Sequence, residues 1–109
     1  MTQQPLISHH AIIRTWPGRS VAVGQALARL VETSRMLPEC LAIEADRQAD
    51  DPGVWHLRMC WADRSAMAAW LGNPVAELFA AWVNQYWVMH IDIQPGAPIA
   101  SEAGLRRAG

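Results

Sequence analysis

The order of residue patterns along the chain constrains the fold more than any other feature. Residues 6–16 favour a β-strand and stop at the turn signal Pro17-Gly18. Residues 20–37 repeat apolar side chains every three or four positions, which predicts an amphipathic helix. Two shorter runs, residues 40–47 and 54–61, flank a cluster of turn-forming residues. The first half therefore predicts a strand, a helix and a β-hairpin.

The second half predicts a helical stretch and a last strand. Asp63 or Ser65 can cap the helix, and the segment Gly72-Asn73-Pro74 predicts two short helices that meet at a bend. The strand follows at residues 87–93. Its alternation predicts one face with Trp87, Met89, Ile91 and Ile93, and an opposite face with Val88, His90 and Asp92.

The resulting order, βαββαβ, predicts an α+β fold of the ferredoxin-like type, with a four-stranded antiparallel sheet and two helices on one face. Strands 1 and 3 are apolar on both faces, and Val88 lies opposite the apolar row of strand 4. Both sides of the sheet should then be shielded, so we expect a homodimer that pairs two sheets. Residues 1–96 form the expected domain, and residues 97–109 an arm or tail.

Composition excludes several classes of protein. The chain of 109 residues has nine arginines and ten acidic residues, a net charge of -1, which disfavours nucleic acid as a partner. Cys40 and Cys60 form no CxxC pair, so we expect buried, inert thiols in a reducing compartment. No signal-peptide layout and no run of 18 apolar residues is present. These features predict a cytoplasmic protein that does not bind membranes.

Several short motifs, in this order and spacing, resemble the antibiotic biosynthesis monooxygenase family. The resemblance spans roughly residues 7 to 96. It rests on the segments Ile13-Arg14-Thr15-Trp16-Pro17-Gly18-Arg19, Asp50-Asp51-Pro52, Cys60-Trp61-Ala62-Asp63-Arg64-Ser65-Ala66, Trp70-Leu71-Gly72-Asn73-Pro74 and Ile91-Asp92-Ile93-Gln94-Pro95-Gly96. It implies the small dimeric α/β barrel of the family, which includes quinol monooxygenases.

The chain departs from the family pattern at the helix bend. The family usually has a histidine where this chain has Trp70. A tryptophan there, together with Trp61, resembles the haem-degrading branch of the family. That branch also needs an axial histidine and a strand-1 asparagine, where this chain has Ala80 and Ile13. The resemblance therefore implies no haem.

The resemblance implies a cofactor-independent monooxygenase that acts on a quinol, a phenol or a polyketide-like aromatic molecule, with dioxygen as the second substrate. Such a reaction needs a dry, largely aromatic pocket and a place for a proton. We expect Trp61 and Trp70 to form opposite walls of the pocket. The predicted substrate-binding residues are Trp55, Leu57, Met59, Trp61, Trp70, Phe79 and Trp82. The same side chains would equally form an ordinary core, and the alternative function is a non-catalytic, dimeric, ligand-binding or stress-related module.

The remaining polar residues suggest no catalytic group. The histidines at positions 9, 10, 56 and 90 lack metal-ligand spacing, so no metal site is predicted. His56 should face away from the tryptophans of strand 3. Arg14 and Arg58 are expected to pair with Glu44 or Asp92. No phosphate loop, nucleophile elbow or dinucleotide fingerprint is present, and the residue that handles the proton stays open.

Overall fold

A computed structural model describes residues 7–95 of the chain, with the side chains of all of these except Ile7, Asn73 and Pro74. The expected arm at residues 97–109 and the first residue of the expected strand, Leu6, lie outside the described residues. The elements are β1 (Ile7–Thr15), α1 (Ser20–Arg35), β2 (Cys40–Gln48), β3 (Asp51–Trp61), α2 (Arg64–Trp70), a π-helical turn (Leu71–Val75), α3 (Ala76–Asn84) and β4 (Val88–Pro95).

The strands form one antiparallel sheet in the order β2-β3-β1-β4. This topology confirms the predicted ferredoxin-like fold. The turn between β1 and α1 is also where the sequence predicts it, because Gly18 has a φ of +84° that glycine adopts without strain. The hairpin is tighter than expected, since β3 already begins at Asp51.

The predicted break between two helices is replaced by a continuous helical segment. Asp63 is the N-cap of α2, and its carboxylate accepts a hydrogen bond from the Ala66 backbone N–H at 2.8 Å. The chain then passes through the π-helical turn directly into α3. Pro74 has no N–H to donate, and a wider turn accommodates that missing bond without ending the helix.

The predicted faces of β4 are wrong at its start. The pairing of β1 with β4 shifts register between Arg14 and Thr15, so Val88 pairs with Thr15. Val88 is fully buried, whereas Met89 is 42% exposed. Such a bulge places two residues opposite one and reverses the alternation. Val88 therefore belongs to the core and cannot support the expectation of an apolar second face.

The core fills the space between the helices and one face of the sheet. It contains residues from all four strands and from each helical segment, among them Ala11, Ile13, Val23, Leu27, Ile43, Leu57, Phe79 and Val88. No helix among the described residues is long and apolar enough to cross a membrane.

The opposite side of the sheet, here called the outer sheet face, is mainly polar. By register it carries His10, Ile12, Arg14, Glu44, Asp46, Val54, His56, Arg58, Cys60, His90, Asp92 and Gln94. The expectation that this face is broadly apolar is therefore wrong. Its apolar surface is limited to the strip around Ile12, because Val54 and Cys60 are already buried.

Candidate functional site

The predicted substrate-binding residues lie in or against one continuous core. Leu57, Met59 and Trp61 share the helix-facing side of β3, as strand alternation requires. Six of the seven predicted residues are at most 7% exposed, namely Leu57, Met59, Trp61, Trp70, Phe79 and Trp82. Trp55 is half-buried and packs against the edge of this cluster. Whether any of them contacts a substrate stays a prediction.

Trp61 and Trp70 are in direct contact with each other. Their ring centroids are 5.4 Å apart and the ring planes are tilted by 44°, which is the geometry of an aromatic pair. A planar molecule has no room between them, so they do not form the opposite walls that the sequence suggested. Trp70 is further fixed by α1, because its Nε1–H donates a buried hydrogen bond of 2.9 Å to Ser34 Oγ.

The indole of Trp61 differs from that of Trp70 in its hydrogen bonding. Trp61 is 1% exposed, and its Nε1 has no partner among the described residues. His9 Nδ1 is likewise buried and without a partner in this part of the chain. Buried polar atoms are nearly always hydrogen-bonded, and leaving one unpaired costs roughly 1–3 kcal/mol. Two such atoms therefore mark this end of the core as a candidate binding site.

Strand register brings these two atoms to the same end of the core. His9 pairs with Met59 and Ile7 pairs with Trp61, so His9 and Trp61 are diagonal neighbours on the helix-facing side. Arg64, in the first turn of α2, is close enough to affect His9 electrostatically. Burial, and secondly the positive charge of Arg64, lower the pKa of His9 below the usual 6.5. His9 is therefore neutral at neutral pH.

Sequence reasoning did not select His9, although a signal for it was present. Ile13 and Ala11 are fully buried on the helix-facing side of β1, and the two-residue period of a strand places His9 on the same side. A histidine in an apolar row is often an ordinary core residue whose nitrogens are satisfied. Its unpartnered Nδ1 is visible only in the structure.

Trp55 lies at the other end of β3, six residues from Trp61, which is roughly 20 Å along an extended strand. Its Nε1–H donates to both the carbonyl oxygen and the hydroxyl of Ser20, at 3.1 Å each. The ring packs so closely on Gly24 that a Cβ there would lie 2.3 Å from it. Trp55 thus anchors α1 to the sheet and lies far from the Trp61–Trp70 pair.

Phe79 and Trp82 form a second aromatic pair in α3, with centroids 5.3 Å apart. Trp82 also lines a groove of about 620 Å³ between α1 and α3, a volume in the range of small-molecule sites. The groove is lined by Ala26, Arg29, Leu30, Thr33, Val75, Glu77, Leu78, Trp82 and Trp87.

Four polar residues on and beside the outer sheet face form a chain of hydrogen bonds. Gln48 Nε2–H donates to Asp50 Oδ1 at 2.7 Å, which turns Gln48 Oε1 toward His56 Nε2 at 2.8 Å. That oxygen can only accept, so His56 carries its hydrogen on Nε2 and its Nδ1 accepts from His10 Nε2–H at 2.7 Å. These four residues are called the outer chain below. The predicted orientation of His56, away from Trp61, is confirmed by the register.

The other polar predictions are partly wrong. Arg14 pairs with Asp51 at 3.4 Å and Arg58 pairs with Asp46, not with Glu44 or Asp92. Both ion pairs are about half-exposed, and such pairs contribute about 0–1 kcal/mol. Cys60 is buried as expected, but Cys40 is partly exposed, and burial raises the pKa of its thiol. Within residues 7–95, no group of three or more His, Cys, Asp or Glu side chains could hold a metal ion.

Comparison with known proteins identifies the family of the fold. Residues 6–83 match the family model described as antibiotic biosynthesis monooxygenase. This match covers well over half of the chain. It includes β1, both chemically distinctive tryptophans, Trp61 and Trp70, and the groove-lining Trp82. No curated protein is similar enough to the chain to give a match.

Solved structures support the same fold. The chain is similar to the protein PA3566 from Pseudomonas aeruginosa, with a TM-score of 0.76, 21% identity and coverage of 88% of this chain and 96% of that one. It is similar to SO0527 from Shewanella oneidensis, with a TM-score of 0.77, 19% identity and coverage of 86% and 91%. It also resembles an antibiotic biosynthesis monooxygenase structure, with a TM-score of 0.71, 21% identity and coverage of 84% and 96%.

Proposed function

This chain belongs to the antibiotic biosynthesis monooxygenase family, and we propose that it is a cofactor-independent monooxygenase of a small hydroxylated aromatic molecule. Membership of the family supports a monooxygenase-like role in general. The finer proposal covers the substrate class, a quinol, phenol or polyketide-like aromatic, and the absence of a cofactor. Dioxygen is the second substrate.

The observation that carries this proposal is the unpartnered polar pair, Trp61 Nε1 and His9 Nδ1, inside an aromatic and apolar core. The indole N–H can only donate, and a neutral imidazole nitrogen can accept. A phenolic hydroxyl is both an acceptor and a donor on an aromatic ring. This ligand class therefore satisfies both atoms, while its ring suits the neighbouring indoles of Trp61 and Trp70.

The chemistry requires little more than such a site. An ionised hydroquinone or anthrone is electron-rich and can reduce dioxygen without a metal or a flavin. One oxygen atom enters the substrate, the other leaves as water, and the substrate supplies the electrons. The residues of this chain have to bind the ring, exclude water and take up one proton. The buried pair at His9 and Trp61 and the apolar walls around it are the groups that we assign to these tasks.

Dioxygen uptake tests the proposed function. The purified protein is given a panel of hydroquinones and anthrones, and uptake is compared with the rate of autoxidation in protein-free buffer. We expect uptake above that rate for at least one compound, with one dioxygen molecule consumed per oxygenated product. A Tyr86→Phe variant is the matched control, because Tyr86 is 69% exposed and is not one of the predicted substrate-binding residues, so the substitution should leave turnover unchanged. Uptake at the protein-free rate across the panel would reject the oxygenase.

The second candidate function is a non-catalytic, ligand-binding or stress-related module. The packing of Trp70 favours it, because Trp70 replaces the histidine usual in the family and is fixed between Trp61 and Ser34. A Trp70→His variant distinguishes the two candidates, since it returns the family's polar group. Uptake that appears only in this variant would reject turnover by the parent protein and favour the non-catalytic module.

The homodimer expected from the resemblance also remains a proposal, with the outer sheet face as the contact. The strip around Ile12 offers apolar surface there, and the half-buried rings of His10 and His56 extend it. Sedimentation equilibrium at micromolar concentration should give twice the mass of the chain, and Ile12→Glu should reduce it to one chain. A monomeric parent protein would exclude this contact.

A further inference from the structure

We propose that His9 is the proton acceptor of the site and that Trp61 Nε1–H holds the phenolate oxygen which the proton transfer leaves behind. This inference deepens the proposed function, because it rests on the same hydroxylated aromatic substrate. It assigns the catalytic role that neither the sequence pattern nor the family match identifies.

The position of His9 meets the requirements of a base. Its Nδ1 is buried on the same side of the sheet as the Trp61 indole, and strand register makes the two side chains diagonal neighbours. With its hydrogen on Nε2, the neutral ring presents an unused lone pair at Nδ1. His9 is half-buried, whereas Trp61 is 1% exposed. A ligand therefore approaches from the His9 side and reaches the indole N–H with its oxygen.

The proton transfer is balanced within this pair. The O–H bond of the phenol breaks, its electron pair stays on oxygen, and a new N–H bond forms at Nδ1 to give an imidazolium. The phenolate oxygen then accepts from Trp61 Nε1–H. Arg64 adds a positive charge near His9, which stabilises the anion in an apolar environment. Both atoms that were unpaired in the free protein are paired in the complex.

The other histidines cannot take this role. His10 and His56 lie on the outer sheet face, and the outer chain uses the nitrogens that face each other. His90 is exposed on the same face, opposite Arg14 in the register. The sheet separates His10 and His56 from the aromatic core, and His90 lines a groove at the edge of β4 with Phe79 and Ala80, not with Trp61. By register, His9 is therefore the histidine of the described residues that shares the helix-facing side with Trp61.

Two measurements test the assignment. The first is the pH dependence of kcat/KM for dioxygen uptake in the parent, His9→Gln, Trp61→Phe and His90→Gln proteins. We expect the parent's rate to fall at acid pH, as His9 becomes protonated. His9→Gln should lower kcat/KM by about 10²–10⁴-fold and remove that acid limb. Trp61→Phe should lower it by about 10²-fold, and His90→Gln should match the parent.

The second measurement uses para-nitrophenol, which is not oxygenated and absorbs visible light only as the phenolate. The parent protein should bind it as the phenolate at a pH where the free compound is mainly neutral. His9→Gln should bind it without that absorbance, and Trp61→Phe should bind it more weakly. Far-UV and near-UV circular dichroism show that each variant is folded.

The combined results separate the two proposals. If dioxygen uptake and phenolate absorbance are the same in the parent and in His9→Gln, the proposed role of His9 is wrong. The proposed monooxygenase activity is then still supported. A parent without uptake that binds para-nitrophenolate through His9 overturns the oxygenase and keeps His9 as the proton acceptor. A parent that neither consumes dioxygen nor binds para-nitrophenol overturns both.

Discussion

Adjacent histidines of β1 have opposite environments. His10 faces outward and is one end of the outer chain, in which Asp50, Gln48 and His56 satisfy one another in a fixed direction. His9 faces the core, and neither its Nδ1 nor Nε1 of its diagonal neighbour Trp61 has a partner among the described residues. The outer chain thus has its polar groups paired, while two polar atoms in the interior, where pairing matters most, have no partner among the described residues.

This difference distinguishes a structural network from a binding site. An unpaired polar atom in the interior destabilises the folded protein by roughly 1–3 kcal/mol. A ligand that pairs it recovers that free energy on binding. A network that is already satisfied has nothing comparable to offer a ligand. The locations of unpaired atoms therefore indicate the site better than the locations of histidines alone.

The largest expected effect is the truncation of Trp61. Trp61→Ala removes a nearly fully buried indole from the core and should lower the free energy of unfolding by about 3–5 kcal/mol. His56→Ala breaks the outer chain at a site that water can enter, so its cost should be about 1 kcal/mol. Urea denaturation of both variants checks the difference. Equal losses would mean that the outer chain supports the fold as much as the aromatic core does.

A smaller difference in stability is expected between variants of the two tryptophans that contact each other, Trp61 and Trp70. Trp61→Phe and Trp70→Phe remove the same volume, but the second also removes the donor to the buried Ser34 hydroxyl. Trp70→Phe should therefore be less stable than Trp61→Phe by about 1–2 kcal/mol. Adding Ser34→Ala to Trp70→Phe should restore part of that loss, because no unpaired group then remains. Equal stability of the two phenylalanine variants would show that Trp61 Nε1 is also hydrogen-bonded.

The fold, and the face of the sheet on which most residues of β3 lie, could be predicted from local sequence patterns. The two-residue period of β3 correctly placed Leu57, Met59 and Trp61 on one face and His56 on the other. The order of elements correctly gave the sheet topology. These features depend on periodicity over several residues, which a single sequence contains.

The errors arose where pairing between distant residues decides the structure. The register shift beside Thr15 moved Val88 into the core, because Met89 is an extra residue of β4 at that point. Strict alternation along β4 does not predict such a bulge. Gly72 and Pro74 predicted a helix break, yet the segment stays helical as a π-helical turn. Trp70 Nε1–H donates to Ser34, 36 residues away in the chain, whereas Trp61 Nε1 has no partner within residues 7–95. Hydrogen bonding of this kind depends on three-dimensional placement and has no signature in the sequence.

The smallest expected effect is the pH dependence of stability. We expect histidines on both sides of β1, His9 and His10, to contribute to it. Burial lowers the pKa of His9, with a contribution from Arg64, and burial also lowers the pKa of His10, with contributions from His56 and Arg58. In the unfolded chain both return to about 6.5. Above that pH neither state binds the extra protons, so these groups cause no pH dependence.

Below about pH 6.5 the unfolded state is protonated first, and the free energy of unfolding should decrease as the pH falls, levelling off below the folded-state values. His9→Gln and His10→Gln should each make the decrease shallower. A saturating phenolic ligand should distinguish the contribution of His9 from that of His10. If the complex holds a proton on His9, the folded-state pKa of His9 rises. The part of the decrease in stability that His9 causes then disappears, while the part that His10 causes remains. Urea midpoints between pH 7 and pH 5, with and without para-nitrophenol, measure this. If the ligand instead changes the contribution of His10 to the pH dependence of stability, the binding site lies on the outer sheet face.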